Sequence, residues 1–141
     1  MNAPLYNTEI LRLAASIPFA ERLADAMGTA EKRSPVCGSR VTVDVNLGAD
    51  GRVSAVGMLV RACALGQASS SLLAADVIGK TPAELAAARD ALAAWLAGVG
   101  DRPDWTGLDL FTPALPHTAR HPSIRLAFEA AADAATQAAG E

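Results

Sequence analysis

The sequence predicts an α+β fold, a small antiparallel sheet with helices packed on one face. Three observations predict it. Residues 40–47, Arg-Val-Thr-Val-Asp-Val-Asn-Leu, alternate strictly between apolar and polar, the period of a half-buried strand. Asp50-Gly51 is a hairpin signal, and a second apolar run follows it at 53–60. On both sides the apolar spacing becomes helical, in a chain whose residues are 51% hydrophobic, largely alanine, and only 4% aromatic. Alanine-rich, aromatic-poor composition favours closely packed helices over an all-β sandwich. A length of 141 residues fits one domain, 1–141.

Taken in order, Thr8 is placed to cap a first helix with Ile10, Leu13, Ala14 and Ile17 on one face. Pro18 suits the first turn of a second helical piece, with Phe19, Leu23 and Met27 inward. Residues 28–35 read as a polar loop. Two strands follow, and Gly57 marks a bulge or a close packing point in the second. From Cys63 the period is helical, with Leu72, Ala75 and Val77/Ile78 as anchors and Gly79 as a stop. Thr81, Pro82 and Glu84 form a strong helix start, a capping box with proline in the first turn. Leu85, Ala88, Leu92, Trp95 and Leu96 then line one face. Residues 97–117 are rich in Gly, Pro and Asp and read as loop, and a last helix carries Ile124, Ala127, Phe128 and Ala131. The end of the chain is expected to fray.

Charge and composition narrow the function. A net charge of −3 gives no basic footprint for nucleic acid and no cationic face for anionic lipid. No apolar run is long enough to span a bilayer, so no membrane partner is expected. The N-terminus lacks a basic segment followed by an apolar one, so no secretory signal is expected and the predicted location is cytoplasmic. In a reducing compartment, two cysteines point to metal or catalytic chemistry more than to a structural disulfide.

Those two are Cys37, before the first strand, and Cys63, before a helix. Both could be small buried hydrophobes. A thiol at a helix N-terminus, however, faces unpaired N–H groups and the positive end of the dipole, which favour thiolate. An antiparallel hairpin brings its outer ends together, so the two thiols are expected to be neighbours. That supports a shared site without deciding between metal and disulfide. His121 is a further candidate ligand, whereas His117 reads as an exposed loop residue and Asp104 and Asp109 as turn residues. Ser69–Ser71 lack the nucleophile-elbow frame and read as small packing residues. Gly79-Lys80-Thr81 lacks the upstream glycine of a phosphate-binding loop.

The stretches PVCGSRVTVDVNL (35–47), DGRV (50–53) and CALGQASSSLLAADVIGKT (63–81) resemble the U-type iron–sulfur cluster assembly proteins: the IscU scaffold, the N-terminal part of NifU and the SufU branch. The resemblance covers most of the chain. It implies a SufE/NifU-like α+β fold with a site of three Cys and one Asp at one tip, holding Zn²⁺ or a nascent [2Fe–2S] cluster. It implies a cysteine desulfurase as sulfur donor and apo iron–sulfur proteins as targets. The role is that of a scaffold or sulfurtransferase-like acceptor rather than a conventional enzyme.

By the same resemblance, Cys37 and Cys63 are the retained ligands; Cys37, on a Gly-flanked loop where a thiolate has access, is the expected persulfide acceptor. Ser39 stands at the family's Asp and Ser123 at its last Cys. His121, two residues before Ser123, is the local substitute, which would give a Cys₂His zinc set. Arg40 or Arg120 would stabilise the thiolate. LPHTAR (115–120) does not match the family's chaperone motif, Leu-Pro-Pro-Val-Lys, so the dedicated Hsp70 chaperone is not an expected partner. The long segment between Cys63 and Ser123 is closer to the SufU branch, whose members act as zinc-bound sulfur acceptors. Loss of two of four family ligands favours an alternative, a binding or regulatory module whose site is degenerate and metal-free.

Overall fold

A computed structural model of the chain describes residues 6–35 and 38–140. Its elements are α1 (Thr8–Ala14), β1 (Gly28–Arg33), β2 (Arg40–Leu47), β3 (Val53–Arg61), α2 (Ala64–Asp76), α3 (Pro82–Leu96) and α4 (His121–Ala138). Two 3₁₀ helices, Leu108–Ala114 and Thr118–Arg120, lie between α3 and α4. The strands form one antiparallel sheet in the order β1-β2-β3. The α+β architecture is the one expected from the sequence.

The alternation of β2 explains the layering. Val41, Val43 and Val45 are fully buried, and their face of the sheet packs against α4. Gly28, paired with Val45, shows how close the approach is: a β-carbon there would overlap the carbonyl oxygen of Ala134 and lie 2.7 Å from the nitrogen of Ala138. Only glycine lets the strand touch the helix backbone. Behind α4, α2 and α3 complete the core with Leu65, Leu72, Leu73, Leu85, Leu92 and Trp95. Thr81 caps α3 in the expected box, its Oγ1 accepting from the Glu84 N–H while Glu84 accepts from the Thr81 N–H.

Four local expectations are corrected. The cap of α1 is Asn7, not Thr8: Asn7 Oδ1 accepts from the Ile10 N–H at 2.9 Å. Residues 18–27 form no helix but an irregular strap with turns at 18–19 and 24–25, with Phe19 and Met27 about half exposed rather than inward. Competing hydrogen bonds explain this. The Met58 N–H on β3 donates to Phe19 O (3.0 Å) and Glu21 O (3.1 Å), and the Leu23 N–H donates to Asp44 (3.0 Å). A helix would have kept those groups for itself.

Residues 28–33 are an edge strand rather than loop. Their polar character is the normal guard of a sheet edge, and Gly28 and Ala30 are the small residues that face the core. The chain end does not fray at Thr136, because α4 continues to Ala138 and Thr136 Oγ1 donates to Ala132 O. The stretch 97–117, expected as loop, contains the 3₁₀ helix Leu108–Ala114 and buries Trp105, Leu108 and Phe111 against the core.

Candidate functional site

The site is built where four chain segments end together. Arg40, the first residue of β2, pairs with Arg61, the last of β3. The outer ends of the hairpin therefore meet, as the topology required. Beyond Arg61 the chain takes two residues to reach Cys63, the N-cap position of α2, in extended backbone (φ −67°, ψ 172°). The Cys63 side chain makes no capping hydrogen bond, is half-buried and packs on the edge of the core. Before β2, the Ser34 N–H donates to Ser39 O at 2.8 Å and the Gly38 N–H to Ser34 O at 3.1 Å, which folds the two ends of this loop onto each other. Cys37 itself lies outside the described residues.

The first turn of α4 completes the tip. Gly66, in the first turn of α2, sits against it: a β-carbon there would lie 3.2 Å from Ser123 O and 3.7 Å from Ser123 Cβ. One turn on, Ser69 Oγ donates to Ile124 O at 2.6 Å, fully buried. These contacts bring the start of α2, with Cys63, beside the start of α4, with His121 and Ser123. Ser70 Oγ donates to Gly66 O (2.8 Å) and Ser71 Oγ to Ser16 O (3.5 Å). The three serines are thus packing and tethering residues, as their lack of a nucleophile frame suggested.

Ser39 and Ser123 are both buried and both engaged in polar contacts. His121 is buried, with Nε2 3.0 Å from the Ala114 carbonyl. A carbonyl oxygen only accepts, so Nε2 carries the proton and Nδ1 holds the free lone pair of the neutral ring. His117 is exposed, as are Asp104 and Asp109. Arg120 is turned to Tyr6, donating to its hydroxyl at 2.8 Å, and Arg40 faces Glu31 at 3.6 Å.

A four-ligand set of three thiolates and a carboxylate is not what these residues offer. Serine hydroxyls stay protonated near neutral pH and are poor ligands for zinc or iron. Among the described residues, no three His, Cys, Asp or Glu side chains converge on a metal position. What fits a metal is the histidine. A ligand imidazole ordinarily donates its other N–H to a carbonyl or carboxylate, the arrangement His121 makes with Ala114.

One polar network was not foreseen. Asp44, on the sheet face away from α4, is fully buried. It accepts from Arg22 Nε (2.7 Å) and Nη2 (3.1 Å), Thr29 Oγ1 (2.7 Å) and the Leu23 N–H (3.0 Å). Burial pushes its pKa up, but the hydrogen bonds from Arg22, Thr29 and Leu23 outweigh that and hold the carboxyl below its ordinary value. The sequence signal was an acid in the middle of a strict strand. Its partners, 15 to 22 residues away, carried none.

The fold and sequence have clear relatives. Residues 12–105 match the family model of the NifU-like N-terminal domain. A crystal structure of a nitrogen-fixing NifU-like protein (N-terminal) from Brucella abortus is 40% identical, with a TM-score of 0.91, covering 97% of this chain and 96% of that one. A structure described as an iron–sulfur cluster assembly scaffold for the SUF system, from Fervidobacterium islandicum AW-1, shares the fold at 19% identity and a TM-score of 0.82, covering 93% and 96%. No curated protein matches the sequence.

Proposed function

The chain belongs to the NifU-like N-terminal domain family, which serves iron–sulfur cluster assembly, and from that premise we propose that it acts as a sulfur acceptor for this process. The donor is a cysteine desulfurase and the receivers are apo iron–sulfur proteins. Cys37 takes the sulfur. Its thiolate attacks the outer sulfur of the donor's persulfide, the donor's S–S bond breaks, and its cysteine leaves as thiolate. Cys37 then carries the persulfide, and no external oxidant or reductant is needed. Acceptance precedes any [2Fe–2S] cargo, which would be assembled on or passed from this tip.

The observation that carries the reading is the convergence at one tip. The two hairpin ends, the N-cap Cys63 and the start of α4 meet there. Cys37 is three residues before Arg40 in the sequence. If zinc resides at this tip, Cys37, Cys63 and Nδ1 of His121 would hold it, leaving a fourth position open. Bound there, the metal would favour the thiolate form of its cysteine ligands. The contact of Nε2 with Ala114 O supports that role by leaving Nδ1 as the free acceptor, and the positive end of α2 faces Cys63 whether or not metal is present.

The test supplies the desulfurase and cysteine to the full chain and maps persulfide by mass spectrometry. Label on Cys37 in wild type and in Cys63→Ser, absent in Cys37→Ser, is the expected result. No label on either cysteine would sink the sulfur-acceptor reading. A second reading, a binding module with a degenerate site, is favoured by Ser39 and Ser123 standing at two family ligand positions. Metal content separates the two. Stoichiometric zinc lost in Cys37→Ala and Cys63→Ala supports the active tip, and a metal-free protein of unchanged stability that takes no sulfur supports the module.

A further inference from the structure

Three arginines stand in one cross-strand row at the tip. Arg33 of β1 pairs with Arg40 of β2, and Arg40 pairs with Arg61 of β3. Directly paired residues of antiparallel strands share a face. Arg40 alternates with Val41, so the row lies on the face opposite the α4-packed valines. The next row on that face is Glu31, Thr42 and the partly exposed Leu59. Glu31 meets Arg33 at 3.0 Å and Arg40 at 3.6 Å, so its one carboxylate serves two of the three guanidiniums. Arg61 is exposed, and its side chain makes no ion pair or hydrogen bond among the described residues.

Glu31 offsets the charge of Arg33 and Arg40, but the direct pairing of Arg40 with Arg61 runs against stability. Like charges directly across strands repel, and the chain as a whole is acidic, with net charge −3. A local excess of positive charge in an acidic protein, set across three strands, is suited to electrostatic recognition of an acidic partner. Its place is equally specific. Arg40 follows Ser39 directly, and Arg61 lies two residues before Cys63, so the row borders the candidate site.

We infer that the Arg33–Arg40–Arg61 row docks an acidic segment of the protein that delivers sulfur to this tip. The inference rests on the sulfur-acceptor reading for the identity of the partner. Charge complementarity beside the site would steer the encounter and set its orientation, which transfer between two thiols needs. The guanidinium fork suits carboxylates, and Leu59 offers the apolar contact next to it. A nucleic acid is disfavoured, because the row has no aromatic side chain to stack on a base.

The test measures binding of the full chain to its cysteine desulfurase by calorimetry at low and high salt, with persulfide formation read in parallel. Wild-type affinity is expected to fall as salt rises. Arg61→Glu is expected to lose tenfold or more in affinity at low salt, while Arg61→Lys keeps most of it. The thermal midpoint of Arg61→Glu should equal or exceed that of wild type, since a repulsion is removed; this separates lost docking from lost folding. Equal affinity in wild type and Arg61→Glu, or no binding by wild type, overturns the inference. So does a single-stranded RNA oligonucleotide that binds as tightly with the same dependence on Arg61. The two readings fail separately. Sulfur accepted on Cys37 from inorganic polysulfide without desulfurase binding removes the docking surface alone. Arg61-dependent binding with no persulfide on either cysteine removes the acceptor reading alone.

Discussion

Asp44 illustrates how a single side chain can organise a region with no regular structure. Its carboxylate is taken fully out of water, and a buried carboxylate is tolerated only with donors around it. Arg22, Thr29 and the Leu23 N–H supply them, and the strap 18–27 is laid across the sheet to do so. Gly57 makes room, because a β-carbon there would collide with the carbonyl of Glu21. Asp44→Ala leaves these donors facing an empty acceptor position. Since Arg22 is half exposed and can turn to water, the expected loss is about 2–3 kcal/mol, below that of a fully buried pair, measured by urea unfolding. At the tip, His121 is the counterpart: its bond to Ala114 fixes the tautomer, so the ring offers Nδ1 outward from that bond. Asp44 was legible as a strand residue and His121 as a candidate ligand. Neither one's partner was legible, because nothing in local spacing encodes a contact 22 or 7 residues away.

At the scale of elements, period and capping carried most of the information. β2, β3, α3 and α4 lie where alternation, the Asp-Gly turn and the Thr81–Glu84 box put them. The misread elements are those whose form is set by a neighbour. β1 has only six residues and a polar outer side, and it becomes a strand by pairing with β2 and packing against α4. Gly28→Ala tests that dependence. The added methyl meets helix backbone, which cannot rotate away, so a loss of about 2–3 kcal/mol is expected by thermal or denaturant unfolding. Unchanged stability would mean that β1 and α4 can separate without harm. The serines of α2 show the reverse case: they were readable as packing residues from the sequence, but their acceptors on α1–strap and α4 were not.

For the whole molecule, acid is the informative perturbation. Asp44 is held below its ordinary pKa against the upward push of burial. Glu31 is lowered chiefly by the hydrogen bond from Arg33, and Glu84 by the backbone hydrogen bond from Thr81 in the cap of α3. Groups whose folded pKa is depressed contribute stability that is fully present above their unfolded values. That stability drains as pH falls through the folded ones. Unfolding free energy should therefore be level near neutrality and decline on acidification below about pH 5, as unfolded carboxyls take up protons that the folded ones resist. Asp44→Asn should flatten part of that decline, and an equal slope in both proteins would place the acid sensitivity elsewhere. No helix among the described residues is long and apolar enough to cross a membrane. The sequence by itself determined the α+β class, the hairpin, the capping box of α3 and the family, because these depend on period, turn chemistry and motif, all local along the chain. The tertiary structure alone decided that the strap crosses the sheet, that Asp44 is buried and that His121 answers to Ala114. It also decided that three arginines widely spaced in sequence stand in one row. Each of these is a pairing between distant segments, fixed by the strand register and by the need of every buried polar group for a partner.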